Sequence, residues 1–163
     1  SFLYEDLTCR ENLVYYARLY NLPEPGKKAE ESLARVGLAD RANHRVRTLS
    51  NGMQKRAAIA RAILHEPSVL LLDEPEAGLD QDSVAMLGGL LKDWTGSGRS
   101  VVMTTHDLDL GVSWADQTGI LTKGKIDLPG GAEVLGLEAL RSALKVSVRD
   151  RAEAPSISSG RPA

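Results

Sequence analysis

Cysteine is almost absent from this chain of 163 residues. Cys9 stands alone, so no intrachain disulfide can form and a reducing compartment is expected. Cys9 itself reads as a small residue in a first helical turn. No apolar run approaches the length that crosses a bilayer. No charged-then-apolar leader opens the chain, so no signal peptide is expected. A formal net charge of -2 leaves no electrostatic footprint for nucleic acid, although a local basic patch stays open. There is no internal repeat. Ser1, not Met, comes first, and the chain enters mid-pattern at Phe2-Leu3-Tyr4, so the true N-terminus is expected to be missing. What remains is ordinary globular composition, with 42% hydrophobic and 26% charged residues, which suits one domain or a large piece of one.

Along the chain, Thr8-Cys9-Arg10-Glu11 reads as a capping box, and Leu13, Tyr16, Ala17 and Tyr20 follow at helical spacing. Asn21 to Gly26 breaks that helix. A second helix is expected from about Lys27 to Val36, with Gly37 as its C-cap. Arg45 to Ser50 reads as a loop, and Gly52 to Leu64 as an Ala- and Arg-rich helix ending before Pro67. Val69 to Leu72 is a continuous apolar run, as expected of a strand buried on both faces of a parallel sheet. A helix from Asp82 to Trp94, a turn at Gly96-Ser97-Gly98 and a second buried strand from Ser100 to Thr105 follow. Asp107 can cap the next helix. Thr118 to Lys123 and Lys125 to Leu128 suggest a hairpin around Gly124, and Leu137 to Leu144 a last short helix. Strands alternating with helices imply an α/β fold with a mainly parallel sheet. Residues 146–163 are polar and rich in serine, and are expected to form a disordered tail.

Four segments carry chemistry. The strand Val69 to Leu72 ends in Asp73-Glu74-Pro75, and ligand sites of open α/β sheets lie at the carboxyl ends of strands. There Asp73 can hold Mg²⁺ through a water and Glu74 can polarise an attacking water. A solvated acidic turn would look the same in isolation. Leu49-Ser50-Asn51-Gly52-Met53-Gln54 opens a helix, so a hydroxyl and free N–H groups there form an anion site; an ordinary N-cap by Ser50 or Asn51 has the same residues. Asp80, in Gly78-Leu79-Asp80, serves either as a helix N-cap or as a residue linking sites. His106 follows the strand Val101 to Thr105, where it can hydrogen-bond a phosphate oxygen and orient water, or can simply be a surface histidine in a turn. His44 and His65 suit surface or core roles.

The order of these segments is far more specific than any one of them. From Phe2 to about Ile126 the chain resembles the ATP-binding subunits of ABC transporters. Leu49 to Met53 is similar to that family's signature motif, although Asn51 and Met53 depart from the commonest form, Leu-Ser-Gly-Gly-Gln. Val69 to Glu74 resembles its Walker B strand and catalytic glutamate, Gly78 to Asp80 its D-loop, and His106 its switch histidine. The resemblance implies a P-loop NTPase-like α/β domain, ATP and Mg²⁺ as ligands, and Glu74 and His106 as catalytic residues. Asp73 would serve the metal, and Ser50, Asn51, Gly52 and Asp80 the nucleotide. It also implies a head-to-tail dimer with a second ABC ATPase domain, in which Ser50 and Gly52 act on the partner's nucleotide and Asp73, Glu74 and His106 on the chain's own.

The family's phosphate-binding loop, Gly-x-x-x-x-Gly-Lys-[Ser/Thr], does not occur in the 163 residues. Gly119-Ile120-Leu121-Thr122-Lys123-Gly124-Lys125-Ile126 comes near, but Ile126 replaces the Mg²⁺-binding hydroxyl and turn chemistry follows where a helix is needed. The expected organisation is therefore a partial ABC ATPase domain over 1–145, lacking its N-terminal strands and phosphate loop. About 1–66 would form the helical signature region and 67–145 the Walker B to C-terminal region; the tail follows. Such a piece should hold ATP poorly by itself.

Phe2 to Thr8 together with Glu11 to Tyr20 resembles the transporter ATPases, in which this stretch contacts the membrane partner. It is most similar to the ATPase subunit of the heme exporter of cytochrome c maturation. That implies a peripheral protein on the cytoplasmic face of the membrane, joined to a transmembrane subunit and not to nucleic acid. A non-transport ABC ATPase and a non-catalytic pairing or regulatory module are the competing expectations. Coiled-coil heptads or a tandem domain would mark the first, and the Asp73-Glu74 pair with His106 argues against the second.

Overall fold

A computed structural model describes residues 3–127, 138 and 140–142. It divides into two compact units, Ser1–Thr105 and His106–Ala163.

The first unit opens with three packed helices. Helix α1 (Cys9–Leu19) starts at the expected capping box: the Glu11 N–H donates to the Thr8 hydroxyl at 3.1 Å, and the Thr8 N–H to the Glu11 carboxylate at 2.8 Å. The Thr8 N–H, and after it the Thr8 hydroxyl, which donates to the same carboxylate at 2.9 Å, hold the Glu11 carboxyl below its usual range. The first-turn donors of Cys9 and Arg10 go to the carbonyls of His44 and Ala42, at 3.1 and 2.9 Å. This fastens residues 42–47 alongside the start of α1 and answers a helix end's need for acceptors. Cys9, Asn12, Leu13 and Ala17 form the buried face of α1.

Helix α2 (Pro25–Arg35) begins two residues earlier than the expected Lys27, because Pro25 is pre-set for a first helical position. It ends in a Schellman arrangement. Gly37 is left-handed at φ 64°, its N–H donates to Ala34 O at 3.0 Å, and the Leu38 N–H donates to Leu33 O at 2.9 Å. Helix α3 (Asn51–Ile63) packs on both α1 and α2. Leu13, Leu33, Val36, Leu38, Val46, Ile63 and Leu64 are buried and make an aliphatic core. The stretch read as a loop from Arg45 contains a short 3₁₀ turn, Val46–Thr48, whose Val46 is buried.

Asn12 is 0% exposed and polar. Its Oδ1 accepts the Tyr4 N–H at 2.8 Å, and its Nδ2 donates to the carbonyls of Tyr4 and Thr8, each at 3.0 Å. One amide thus satisfies the backbone that leads into α1. Asn12→Leu should lose about 2 kcal/mol of stability by leaving those groups unpaired in the core. An unchanged urea midpoint would show that the entry segment is held by other contacts.

Strand β1 (Val69–Asp73), helix α4 (Gln81–Gly96) and strand β2 (Ser100–Thr104) form a βαβ unit. The strands are parallel, with Val69 opposite Ser100 and Asp73 opposite Thr104, and α4 packs on β2 through a helix that buries Leu87, Leu91 and Trp94. The expectation of burial on both faces is corrected. Leu70 is buried, but Val69, Leu71 and Val102 are 51%, 77% and 59% exposed. A parallel sheet is covered on both faces only where elements lie on both sides. Among the described residues its sheet has two strands, and alternation along them turns Val69, Leu71 and Val102 to one face. Glu66, before β1, joins this unit to α2: its carboxylate pairs with Lys28 at 3.1 Å and Arg99 at 3.2 Å, and Lys28 above all holds it below its usual range.

In the second unit, helix α5 (Leu108–Trp114) is capped by Asp107, whose Oδ1 accepts the Leu110 N–H at 3.1 Å. Strands β3 (Ile120–Thr122) and β4 (Lys125–Asp127) pair antiparallel around Lys123 and Gly124, both with positive φ. The near-match to a phosphate loop therefore folds as a hairpin, as its turn chemistry requires. Glu138 and 140–142 are helical, within the expected last helix; its other residues and the expected tail over 146–163 lie outside the described residues. No helix among the described residues is long and apolar enough to cross a membrane.

Candidate functional site

Asp73 and Glu74 stand at the carboxyl end of β1, where the parallel partner strand supplies Thr104. The Thr104 hydroxyl donates to the Asp73 carboxylate. The Glu74 N–H donates to the Thr104 carbonyl at 3.1 Å and to its hydroxyl oxygen at 3.2 Å. One threonine therefore fixes both acidic positions. Glu74 adopts φ 43°, a left-handed conformation that costs a non-glycine residue roughly 1–2 kcal/mol. Buried Pro75 disfavours the right-handed helical alternative for the residue before it. Non-glycine residues persist in such conformations where surrounding contacts over-determine them, and they cluster at functional sites.

The chain then turns back. The Ala77 N–H donates to Glu74 O at 3.2 Å and the Leu79 N–H to Glu76 O at 3.0 Å, with Gly78 at φ 76°. Asp80 is the N-cap of α4: its Oδ1 accepts the Ser83 N–H at 2.8 Å. Hydrogen bonds from Ser83 hold its carboxyl below the usual range, and the charge of Arg56 adds to this. The Thr105 hydroxyl donates to the Glu76 carboxylate and braces the end of β2 on the same turn.

Ser50 is exposed and caps α3, its hydroxyl oxygen accepting the Met53 N–H at 3.3 Å. Asn51 is the first residue of the helix and is also exposed. Gly52 lies against the turn after Glu74: a Cβ there would meet Gly78 O at 3.4 Å and Leu79 Cδ2 at 3.7 Å. Two segments that the sequence separates by more than twenty residues are thus in contact, and the first turn of α3 adjoins the loop that leaves the two carboxylates. His106 opens the second unit and is exposed, with Asp107 capping the helix after it.

Lys55 and Thr104 carry no signal in the sequence that marks them as site residues. Lys55 donates from its ammonium to the carbonyls of Glu74 and Ala77, the second at 3.0 Å. A lysine in a helix and a threonine in a strand are ordinary residues there, so only the contacts single them out.

Among the described residues no group of three or more His, Cys, Asp or Glu side chains could hold a metal. Asp73 with the Thr104 hydroxyl does not make a protein cage. It fits Mg²⁺, which binds through one or two carboxylates plus phosphates and keeps several waters. The exposed hydroxyl of Ser50 at a helix N-terminus fits a phosphate oxygen.

The ABC transporter family matches residues 1–77. The chain is 40% identical over 124 residues to a phosphonates import ATP-binding protein of Frankia casuarinae, covering 76% of this chain and 47% of that protein. It is 34% identical over 148 residues to a fluoroquinolones export ATP-binding protein of Mycobacterium tuberculosis, covering 90% of this chain and 48% of that one. The chain thus spans about half the length of these curated relatives. Among solved structures, it is similar to an ATP-binding cassette seen as a dimer in a post-hydrolysis state with ADP and Pi. The TM-score is 0.70 at 32% identity, over 77% of this chain and 57% of that one.

Proposed function

We infer that this chain, similar to the ABC transporter family over residues 1–77, is an ATP-binding domain of that family and carries the signature and hydrolytic segments of an ATP-driven energy-coupling subunit. The observation that carries the proposal is Glu74 itself. It sits at the carboxyl end of a parallel strand, in a left-handed conformation, with its N–H on Thr104 and its carbonyl on Lys55. Bound ATP with Mg²⁺ supplies the phosphoanhydride whose cleavage powers the cycle. Asp73, oriented by the Thr104 hydroxyl, would hold Mg²⁺ through a water. Glu74 accepts a proton from the attacking water or polarises it, and His106 orients that water or hydrogen-bonds a phosphate oxygen.

Ser50, Asn51 and Gly52 face the nucleotide of an opposing domain in a head-to-tail dimer, and Asp80 links the two by capping α4 beside that contact. The dimer of the similar cassette supports this pairing. Closure and reopening of the dimer would move a transmembrane subunit, with this chain peripheral on the cytoplasmic face. The finer reading is an exporter, and most specifically the heme exporter of cytochrome c maturation. Its support is the segment from Phe2 to Tyr20, and the relatives, one named for import and one for export, favour neither direction.

The test is Mg²⁺-dependent ATP turnover by the complete protein together with its membrane partner. Turnover that disappears on chelating Mg²⁺ is expected. A complete, folded protein that neither binds nor hydrolyses ATP would overturn the reading.

A further inference from the structure

Lys55 lies on the second turn of α3, five residues after the Ser50 cap. Its ammonium spans to the turn after β1 and donates to the carbonyls of Glu74 and Ala77. The Glu74 carbonyl also accepts the Ala77 N–H at 3.2 Å, so a single cation grips both ends of a tight turn that is already closed on itself. That turn begins at a left-handed glutamate, a conformation that needs external support. An ammonium suits the task, because it offers three donors on a flexible stem and no acceptor. A second contact lies beside it, where Gly52 approaches Gly78 O and Leu79. All of these residues belong to one compact unit.

We propose that Lys55 is a positioning residue that ties the Glu74 turn to the N-terminal turn of α3, so that a phosphate bound against Ser50 and Gly52 biases the backbone that carries Glu74. The inference rests on the proposed function. There, Ser50 and Gly52 serve the opposing domain's nucleotide while Glu74 serves the chain's own. The bridge therefore couples the two nucleotide sites of a dimer: occupancy at one changes the free energy of the hydrolytic conformation at the other, and the coupling is reciprocal. Lys55 touches neither nucleotide in this scheme. Its whole effect passes through two carbonyls.

The experiment compares Lys55→Met and Lys55→Arg with the parent in the complete protein. Steady-state ATP turnover, its cooperativity in ATP, and amide exchange of Ala77 and Leu79 are read for each. Lys55→Met should lower kcat by about tenfold with KM within about twofold, reduce the Hill coefficient toward one, and speed exchange at both amides. Lys55→Arg, which keeps the charge and the donors, should recover much of each loss. Unchanged kcat, cooperativity and exchange in Lys55→Met would overturn the proposal. So would a loss of turnover that follows a fall in melting temperature and is not relieved by arginine. If the parent itself hydrolyses no ATP, the functional reading fails on that result. Amide exchange then decides the clamp alone, faster exchange supporting it and unchanged exchange overturning it.

Discussion

Glu74→Gln in the complete protein should abolish nearly all ATP turnover while nucleotide stays bound. The substitution keeps the size of the side chain. It leaves untouched the backbone contacts that hold the residue, since Thr104 receives the Glu74 N–H and Lys55 binds the Glu74 carbonyl. The carboxylate's negative charge and its capacity to accept a proton are lost. A positioned general base contributes on the order of 10²–10⁴-fold, so kcat should fall within that range. Nucleotide affinity, read by equilibrium binding, should be equal to the parent's or higher, because the bound state is no longer consumed. Turnover at the parent's rate would remove Glu74 from the chemistry and leave it a residue of the turn. Loss of both binding and turnover, with loss of the folded state, would assign the side chain a structural role.

The second large effect is expected at Ser50, on the other face of the same arrangement. Ser50→Arg replaces a small exposed hydroxyl with a long cation at the N-terminus of α3. The cap to the Met53 N–H is lost, at about 1 kcal/mol. On the proposed pairing, the bulk and charge would also stand where the opposing domain closes, next to the positive end of a helix. Nucleotide binding to the monomer should persist, and the ATP-induced dimer should disappear. Analytical ultracentrifugation in a Glu74→Gln background, where ATP is retained, separates the two. Ser50→Ala removes only the hydroxyl and is the control: it should weaken the dimer without preventing it. An Arg variant that dimerises with ATP as the parent does would count against the signature acting on a partner's nucleotide.

Local rules carried much of the fold. The Thr8–Glu11 box, the Gly37 cap, the Asp107 N-cap and the hairpin around Gly124 are each decided within a few residues and appear where the pattern predicts, while Ser50 and Asp80 take the N-cap role that was one of two alternatives for each. The candidate residues were also legible, because strand ends and helix starts are local features and their order along the chain is distinctive. The apolar run from Val69 to Leu72 does not decide burial: Leu70 is buried, and Val69 and Leu71 are exposed. Composition can mark a strand that is suited to two covered faces, but the cover is a matter of neighbouring elements, and Leu71 is left exposed here.

From its sequence alone this protein is an α/β chain whose acids and signature segment stand at element ends, since hydrogen-bonding needs at those ends are met by adjacent side chains. Contacts that cross the chain were left to the tertiary structure. It alone brings Lys55 onto the carbonyls of Glu74 and Ala77, Thr104 onto both acidic positions, and Gly52 against Gly78. The physical reason is that a backbone carbonyl has no sequence signature. Which ammonium or hydroxyl satisfies it is decided only when packing of α3 and pairing of β1 with β2 bring donor and acceptor within reach.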